Sequence, residues 1–469
     1  MMRHTSVSRI LLAWMAVFAL HCQSPPSSHD EMIMLLDNAR QQYNRFDNYY
    51  APEAQLKYYD SLIRSTTSKQ DMMAFTYPMT RALIALGREE EAVPLLEEQV
   101  ARINREGIKG MNKLKVQLAL AYLRAGERAN CVANHSPETC ILPIQGSGIH
   151  TIPEGSQNAI KIYEELIAEF PENLEYRWLL NIAYMTLGEY PDGVPPGLLL
   201  PGLDRDQDST QHVKPFQNIA ASLGLDVNNM AGGVIVDDFD NDGYLDLVTS
   251  SWDLSDAIHY FRNNGDGTFA DRSDESRLST LTGGLNLLQA DYNNDGFTDI
   301  FVLRGAWLRG NFCKQPNSLI KNNGDGTFTD VTTKSGLLSF HPTQTATWND
   351  FNNDGWLDIF IGNETWEGNA SSGDHPSELY INNRDETFTN IAKQAGCEVL
   401  GFVKGVTSGD YDNDGWKDIF VSTLSGKRYL FRNQGRQGMP SFEDVTAQSG
   451  IAHGSARTFP AWFWDYDND

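Results

Sequence analysis

Basic residues are scarce in this 469-residue chain: 37 Lys and Arg stand against 62 Asp and Glu, a formal net charge of −25. The shortfall is uneven, since residues 1–200 hold 18 basic and 23 acidic side chains whereas 201–469 hold 19 and 39. A surface of this kind repels nucleic acid and anionic membranes and suits multivalent cations. Histidine (10) and cysteine (5) are also few. The histidines show no paired or repeated spacing, and neither Gly-x-Ser-x-Gly nor Cys-x-x-Cys-His occurs. The usual sequence signs of a nucleophile-elbow hydrolase and of attached haem are therefore absent. No apolar run reaches the length of a transmembrane helix.

What is present begins with MMRHTSVSR and the short apolar core ILLAWMAVFAL, the pattern of a secretory signal over residues 1–22. Cys22 follows that core directly, where a bacterial lipoprotein carries its lipid; simple cleavage is the alternative. The chain is thus expected outside the cytoplasm (periplasmic, at the cell surface as a lipoprotein, or secreted), touching a membrane only through such an anchor. With 41% hydrophobic and 11% aromatic residues, the remainder has the composition of two or three folded domains.

Residues 30–190 carry helical periodicity. Ala82-Leu83 to Gly87, Ala121-Tyr122 to Gly126 and Ala183-Tyr184 to Gly188 share one spacing, each predicting a first helix that ends at a glycine turn. Ala159, Tyr163, Leu166 and Pro171 fall at the steps of a second helix. The pattern resembles tetratricopeptide repeats, with a plain helical bundle as the alternative, and either is a docking scaffold without catalytic chemistry. One repeat is interrupted by an insertion, 127–156, containing CVANHSPETC. In an exported protein Cys131 and Cys140 are expected to form a disulfide; a metal site using Cys131, His135, Cys140 and His150 is the alternative, although its spacing matches no standard zinc pattern. Pro191, Pro195, Pro196 and Pro201 mark 191–212 as a linker.

The segment 213–469 is a repeat with a fixed ruler. Phe216, Phe269, Phe328, Phe388 and Phe442 each open a similar decapeptide, and each precedes the first Asp of an acidic loop by 22, 22, 22, 22 and 23 residues. Four short β-rich runs per unit predict four-stranded propeller blades. The NNGDGTF segments read as hairpin turns between the third and fourth runs.

The acidic loops are DFDNDGYLD, DYNNDGFTD, DFNNDGWLD and DYDNDGWKD, with DYDND at the end of the chain. Oxygens at the first, third, fifth and ninth steps, a carbonyl after a sharp glycine turn, and no nitrogen or sulfur are the logic of a calcium loop. Such loops resemble the FG-GAP or VCBS repeats of integrin-α-type β-propellers. Together with the helical repeats, the insertion, RGAW and SFHPTQTA, they make the chain similar to bacterial members of the cartilage acidic protein (ASPIC/UnbV) family. That resemblance implies a multidomain α-then-β fold, helical repeats followed by a calcium-binding β-propeller that is incomplete in this chain. It implies calcium at Asp238, Asp240, Asp242, Tyr244 and Asp246; at Asp291, Asn293, Asp295, Phe297 and Asp299; at Asp350, Asn352, Asp354, Trp356 and Asp358; at Asp410, Asp412, Asp414, Trp416 and Asp418; and at Asp465, Asp467 and Asp469. Asn293 and Asn352 keep an oxygen and drop a charge, so weaker affinity is expected there. The function expected is a calcium-stabilised module binding a protein or glycan; the rival is a propeller-based hydrolase or lyase acting on extracellular polysaccharide, its constellation assembled from separate blades. Trp252, Trp307, Trp366, Trp462 and Trp464 are expected mainly in blade cores rather than in a sugar site.

Overall fold

The computed structural model describes residues 25–108, 110, 112–132, 139, 142–203, 216, 219–366, 373–436, 438–451 and 456–465. The signal segment with Cys22, and also His135, Cys140, Asp467 and Asp469, lie outside the described residues. Two compact units divide the chain: Tyr43–Asp226, and the chain up to Gln42 together with Val227–Asp469.

The first unit is helical. Its helices are α2 (Pro52–Ser65), α3 (Lys69–Ala85), α4 (Glu89–Glu106), α5 (Asn112–Glu127), α6 (Glu154–Glu169) and α7 (Leu174–Thr186), following α1 (Ser28–Tyr43). Ser68 caps α3 through the Asp71 N–H and Asn173 caps α7 through the Tyr176 N–H, supplying acceptors to backbone donors that the first turn leaves unpaired. Met79, Leu83, Ala92, Leu96, Leu114 and Leu118 form one core between α3, α4 and α5. Ala159, Tyr163, Leu166, Leu180 and Ala183 form a second between α6 and α7, with Ala159, Tyr163, Leu166 and Ala183 at the helical steps expected of them.

Two of the three expected glycine turns are found: Gly87 and Gly188 are left-handed, with φ of 66° and 70°. Gly126 is different, because α5 runs through it to Glu127. A side chain on the facing Gly155 would come within 2.6 Å of the Tyr122 carbonyl and 2.9 Å of Gly126. These two glycines are there to let α5 and α6 touch backbone to backbone. The described part of the proline-rich segment is also packed rather than free: Val194 is buried in the α6–α7 core, and the Asn181 amide bonds both Leu198 O and Leu200 N.

Among the described residues the second unit holds sixteen strands in four four-stranded antiparallel sheets, each with its strands side by side in chain order. The first strands are β1 (Val234–Asp237), β5 (Asn286–Ala290), β9 (Thr343–Asn349) and β13 (Val403–Gly409), and those of successive sheets are neighbours: β1 with β5, β5 with β9 and β9 with β13. This is the radial stacking of propeller blades. Second strands β6 (Asp299–Leu303) and β10 (Asp358–Asn363) are buried at every position, because a strand packed between two neighbouring sheets is apolar on both faces. The fourth strands, β4 (Phe269–Asp271), β8 (Phe328–Asp330), β12 (Phe388–Asn390) and β16 (Phe442–Asp444), each open with a Phe opposite an Asn that ends the third strand. From blade 2 to 3 and from 3 to 4 the connection turns through the short helices α8 (Thr332–Ser335) and α9 (Ala392–Ala395). The 22-residue ruler is thus the return from an outer strand to an inner one, and the length differences fall in the loops between second and third strands and, in the fourth blade, also between the third and fourth. Phe216 is exposed and outside any strand, and no strand precedes Val234 among the described residues.

The helical periodicity from residue 30 does not coincide with the compact division, since most of α1 belongs with the blades. His29, buried at its start, accepts the Asp330 N–H through Nδ1 at 3.0 Å and pairs through Nε2 with Thr280 Oγ1 at 2.9 Å. Ser28 Oγ accepts the Thr333 N–H. No helix among the described residues is long and apolar enough to cross a membrane.

Candidate metal centre

Each acidic loop joins the first and second strands of a blade. Its glycine (Gly243, Gly296, Gly355, Gly415) has φ between 87° and 90° and the Asn two residues earlier (Asn241, Asn294, Asn353, Asn413) lies between 53° and 58°. Glycine and asparagine are the residues that adopt this region at least cost. The first Asp then accepts two loop amides: Asp238 those of Asp242 (3.0 Å) and Gly243 (2.8 Å), and Asp291, Asp350 and Asp410 the equivalent pairs. The ninth-step Asp is the hub between loop and blade. Asp246 accepts the N–H of Phe239 and of Asn263, and Asp299, Asp358 and Asp418 repeat this with Tyr292 and Asn322, Phe351 and Asn382, and Tyr411 and Asn433.

Three acids converge in two loops. Carboxylate oxygens of Asp238, Asp240 and Asp246 lie within 4.8 Å of one another, and those of Asp410, Asp412 and Asp418 do likewise. In the two loops between them the third-step residue is Asn293 or Asn352, whose Oδ1 faces the same fifth-step amide. In the first three loops the fifth-step acid is turned toward a cation of the protein itself. Arg262 holds Asp240 and Asp242, Lys321 approaches Asp295 at 3.6 Å, and Arg384 holds Asp354 at 2.8 Å. Tyr244, Phe297, Trp356 and Trp416 donate their N–H to the fifth-step Asp at 2.9–3.1 Å. The rings of Tyr244, Phe297 and Trp416 lie so close over Gly265, Gly324 and Gly435 that a Cβ there would meet them within 2.8 Å, which is why the next hairpin opens with glycine. Asp465 is exposed at the end of the described chain.

Burial sets the electrostatics. Desolvation first, then neighbouring carboxylates, raise the hub acids: Asp246 is pushed up, Asp299 to about 8, Asp358 to about 7 and Asp418 to about 6. An ionised hub acid therefore gains from any cation brought among these oxygens. The Gly-Asp-Gly segments are hairpin turns, in which Asp266 and Asp325 each bond the N–H and hydroxyl of the Thr two residues on.

Sequence reasoning missed two asparagine series that tie the loops together. Asn241 donates to Gly296 O, Asn294 to Gly355 O and Asn353 to Gly415 O, at 2.9–3.1 Å, so each loop is bonded to the next. The third-strand residues Asn322, Asn382 and Asn433 are buried and donate to the carbonyls of Phe239, Tyr292 and Phe351 in the preceding blade. The signal was legible as an Asn repeated at one step in every copy. Replacing Asn382 by Ala is expected to cost about 1–3 kcal/mol, because it leaves buried carbonyls unpaired, whereas Asn353→Gly in an exposed loop costs about 1 kcal/mol or less. Urea unfolding midpoints of the two variants measure the difference, and equal losses would contradict the interblade role.

A second polar group was not legible at all. At the opposite end of the blades, the fully buried Lys404 pairs with the fully buried Glu364 and bonds Gln344 Oε1 at 2.6 Å, its ammonium 3.4 Å from the centre of the Trp307 ring. Glu364 also accepts the Trp307 N–H at 2.6 Å, and Trp307 has φ of 67°. Burial pushes Glu364 up to about 7 and Lys404 down to about 8.

The model of the FG-GAP-like repeat family matches residues 238–302, 307–361 and 350–421, which contain all four complete acidic loops. Among curated proteins, cartilage acidic protein 1 of Xenopus tropicalis is 26% identical over 234 residues, covering 48% of this chain and 34% of that protein. The human protein of the same name is 28% identical over 213 residues, covering 44% and 28%, and the mouse protein 27%, covering 44% and 29%. The chain spans about a third or less of the length of these relatives.

Proposed function

We propose that this FG-GAP-repeat chain, a relative of the cartilage acidic proteins, is an exported binding module whose blades are stabilised by calcium and which recognises a protein or a glycan. The observation that carries the calcium part is the convergence of Asp238, Asp240 and Asp246, and again of Asp410, Asp412 and Asp418, at one structural position in two blades. The donor set fits a hard cation, being carboxylate and amide oxygen throughout. Calcium, when bound, supplies the charge that clustered acids lack; the hub acids and the first Asp already hold the loop in shape through backbone N–H bonds. Arg262 shares Asp240 and Asp242 with that role, so the first loop trades an internal cation for an external one. The helical unit is a tetratricopeptide-like docking scaffold, and Cys22 is the attachment point of a lipid.

Calorimetric titration of the protein with Ca2+ tests the metal part. About one equivalent per complete loop is expected, with Asp418→Asn removing about one equivalent and leaving the others in place; no heat of binding in native protein would overturn it. A glycan array and a pull-down, each with and without Ca2+, test recognition: a ligand retained only by calcium-loaded protein is expected, and a protein that captures nothing under either condition is a scaffold instead.

A further inference from the structure

His29, His150 and His375 are the buried histidines among the described residues. His150, in the helical unit, faces Cys131 Sγ at 3.7 Å and Ser156 Oγ at 3.3 Å, and His375 faces His341, Nδ1 to Nδ1, at 2.8 Å. In those contacts either partner can donate. His29, at the start of α1, differs because one of its partners can only donate. The backbone N–H of Asp330 points at Nδ1, so that nitrogen carries no proton and Nε2 carries the hydrogen of the ring. Nε2 then donates to Thr280 Oγ1, whose own hydrogen is directed at Arg277 O at 2.7 Å. Every group from the Asp330 N–H to Arg277 O thus has one role, and the set closes only around the neutral imidazole. One residue earlier, Ser28 Oγ accepts both the N–H (3.2 Å) and the hydroxyl (2.9 Å) of Thr333. Met32 and Leu36, at the three- and seven-residue steps from His29, are buried on the same face of the helix.

We propose that His29 is an acid-released clasp: neutral, it fastens the N-terminal helix to the seam between the first two blades, and protonation undoes the fastening. Thr280 lies in the connection from the first blade to the second, and Asp330 ends β8, the fourth strand of the second, so one ring spans the seam. A proton on Nδ1 turns the acceptor into a second donor aimed at the Asp330 N–H. It also places a positive charge on a residue only 1% exposed, and a buried charge without a partner is strongly unfavourable. Among the described residues the charged groups facing the ring are Arg277, Asp30 and Asp330. Burial, the largest effect, and then Arg277 hold the ring below the usual imidazole range, while Asp30, on α1 itself, favours protonation. The Asp330 carboxyl, pushed up to about 6 by burial, accepts the Thr332 N–H and belongs to the blade whether or not the helix is docked. The docked state therefore binds the His29 proton less tightly than the released one. Docking weakens as pH falls below about 6.5, by at most about tenfold for each pH unit.

The test uses the full chain in excess Ca2+, its histidines labelled with nitrogen-15 for NMR, with amide hydrogen exchange followed from about pH 7.5 to about pH 5. At the upper pH the His29 resonances are expected to show the Nε2–H tautomer and α1 to be protected from exchange. Toward the lower pH the protection of residues 28–42 is expected to fall about tenfold, in step with the titration of His29, while β6 and β10 keep theirs. His29→Gln retains an acceptor and a donor without a titrating group, and is expected to lose this pH dependence. Should that variant not hold the helix at either pH, the wild type still decides, through its tautomer and through the coincidence of titration with release. An Nδ1–H tautomer at the upper pH, protection of α1 that acid leaves unchanged, or an equal acid release in His29→Gln, which would assign it to Asp330, overturns the proposal.

Discussion

Removal of calcium by EDTA is expected to lower the melting temperature of the blades steeply and to leave the transition of the helical unit nearly in place. Binding to the folded state alone, at free calcium about 100-fold above Kd, adds roughly 2.7 kcal/mol per site, so four loops contribute on the order of 10 kcal/mol. That is comparable with the whole net stability of a domain. The selectivity of the effect follows from the chain's division, because the helical unit, Tyr43–Asp226, contains none of the acidic loops. The loops with Asn293 and Asn352 are expected to lose calcium at lower chelator concentration than those with Asp240 and Asp412, having one carboxylate fewer. Magnesium is expected to restore little, since it is too small and too demanding of octahedral geometry for a loop of this kind. Two-transition calorimetry with and without EDTA is the measurement, and blades whose melting EDTA does not move are not calcium-stabilised.

The other large effect is expected at the far end of the blades. Lys404→Met strands the Glu364 carboxylate in a site where neither side chain has any exposed surface, and breaking a buried pair in this way costs about 3–5 kcal/mol. The double variant Lys404→Met/Glu364→Gln removes both charges while keeping an oxygen for the Trp307 N–H, and is expected to recover most of the loss. The single variant has a pH signature as well. Its buried carboxyl has a folded-state pKa raised above that of the unfolded chain, so the folded state holds the proton more tightly. Stability of Lys404→Met therefore rises as pH falls toward and below neutrality, a gain that the double variant lacks. Urea unfolding at two pH values checks both points, and additive losses in the double variant would show that the two side chains do not act as a pair.

Several elements were legible because their causes are local. Four β-rich runs per unit, punctuated by turn residues and by the repeated phenylalanine, predicted four-stranded blades, since both the strand-forming runs and the turns that bound them are written in neighbouring residues. The order of Asp, Asn and Gly in the acidic loops specified a left-handed turn with acids at its rim, because both turn residues and ligand steps are neighbours in the chain. The helical cores at Leu83, Ala159, Tyr163 and Leu166 followed from the helical spacing in the same way. Cys22, Cys140, Asp467 and Asp469 lie outside the described residues, and their assignments stand as expectations.

What only the tertiary structure decided is which surfaces meet. Periodicity assigns a residue to a face and is silent on the partner across it, so Asp240 and Asp242 read as ligands only, whereas Arg262 from the third strand also pairs with both. Gly126 read as a turn because a glycine ends many helices; its reason is Gly155, 29 residues away, which brings two helix backbones into contact. The helix from Ser28 read as the start of the helical domain because its amphipathic pattern is the same whichever core buries it, and the bonds of His29 to Thr280 and Asp330 assign most of it to the blades. Lys404 and Glu364 carry no pattern at all, being ordinary charged residues 40 positions apart, and only packing that removes both from water makes them a pair.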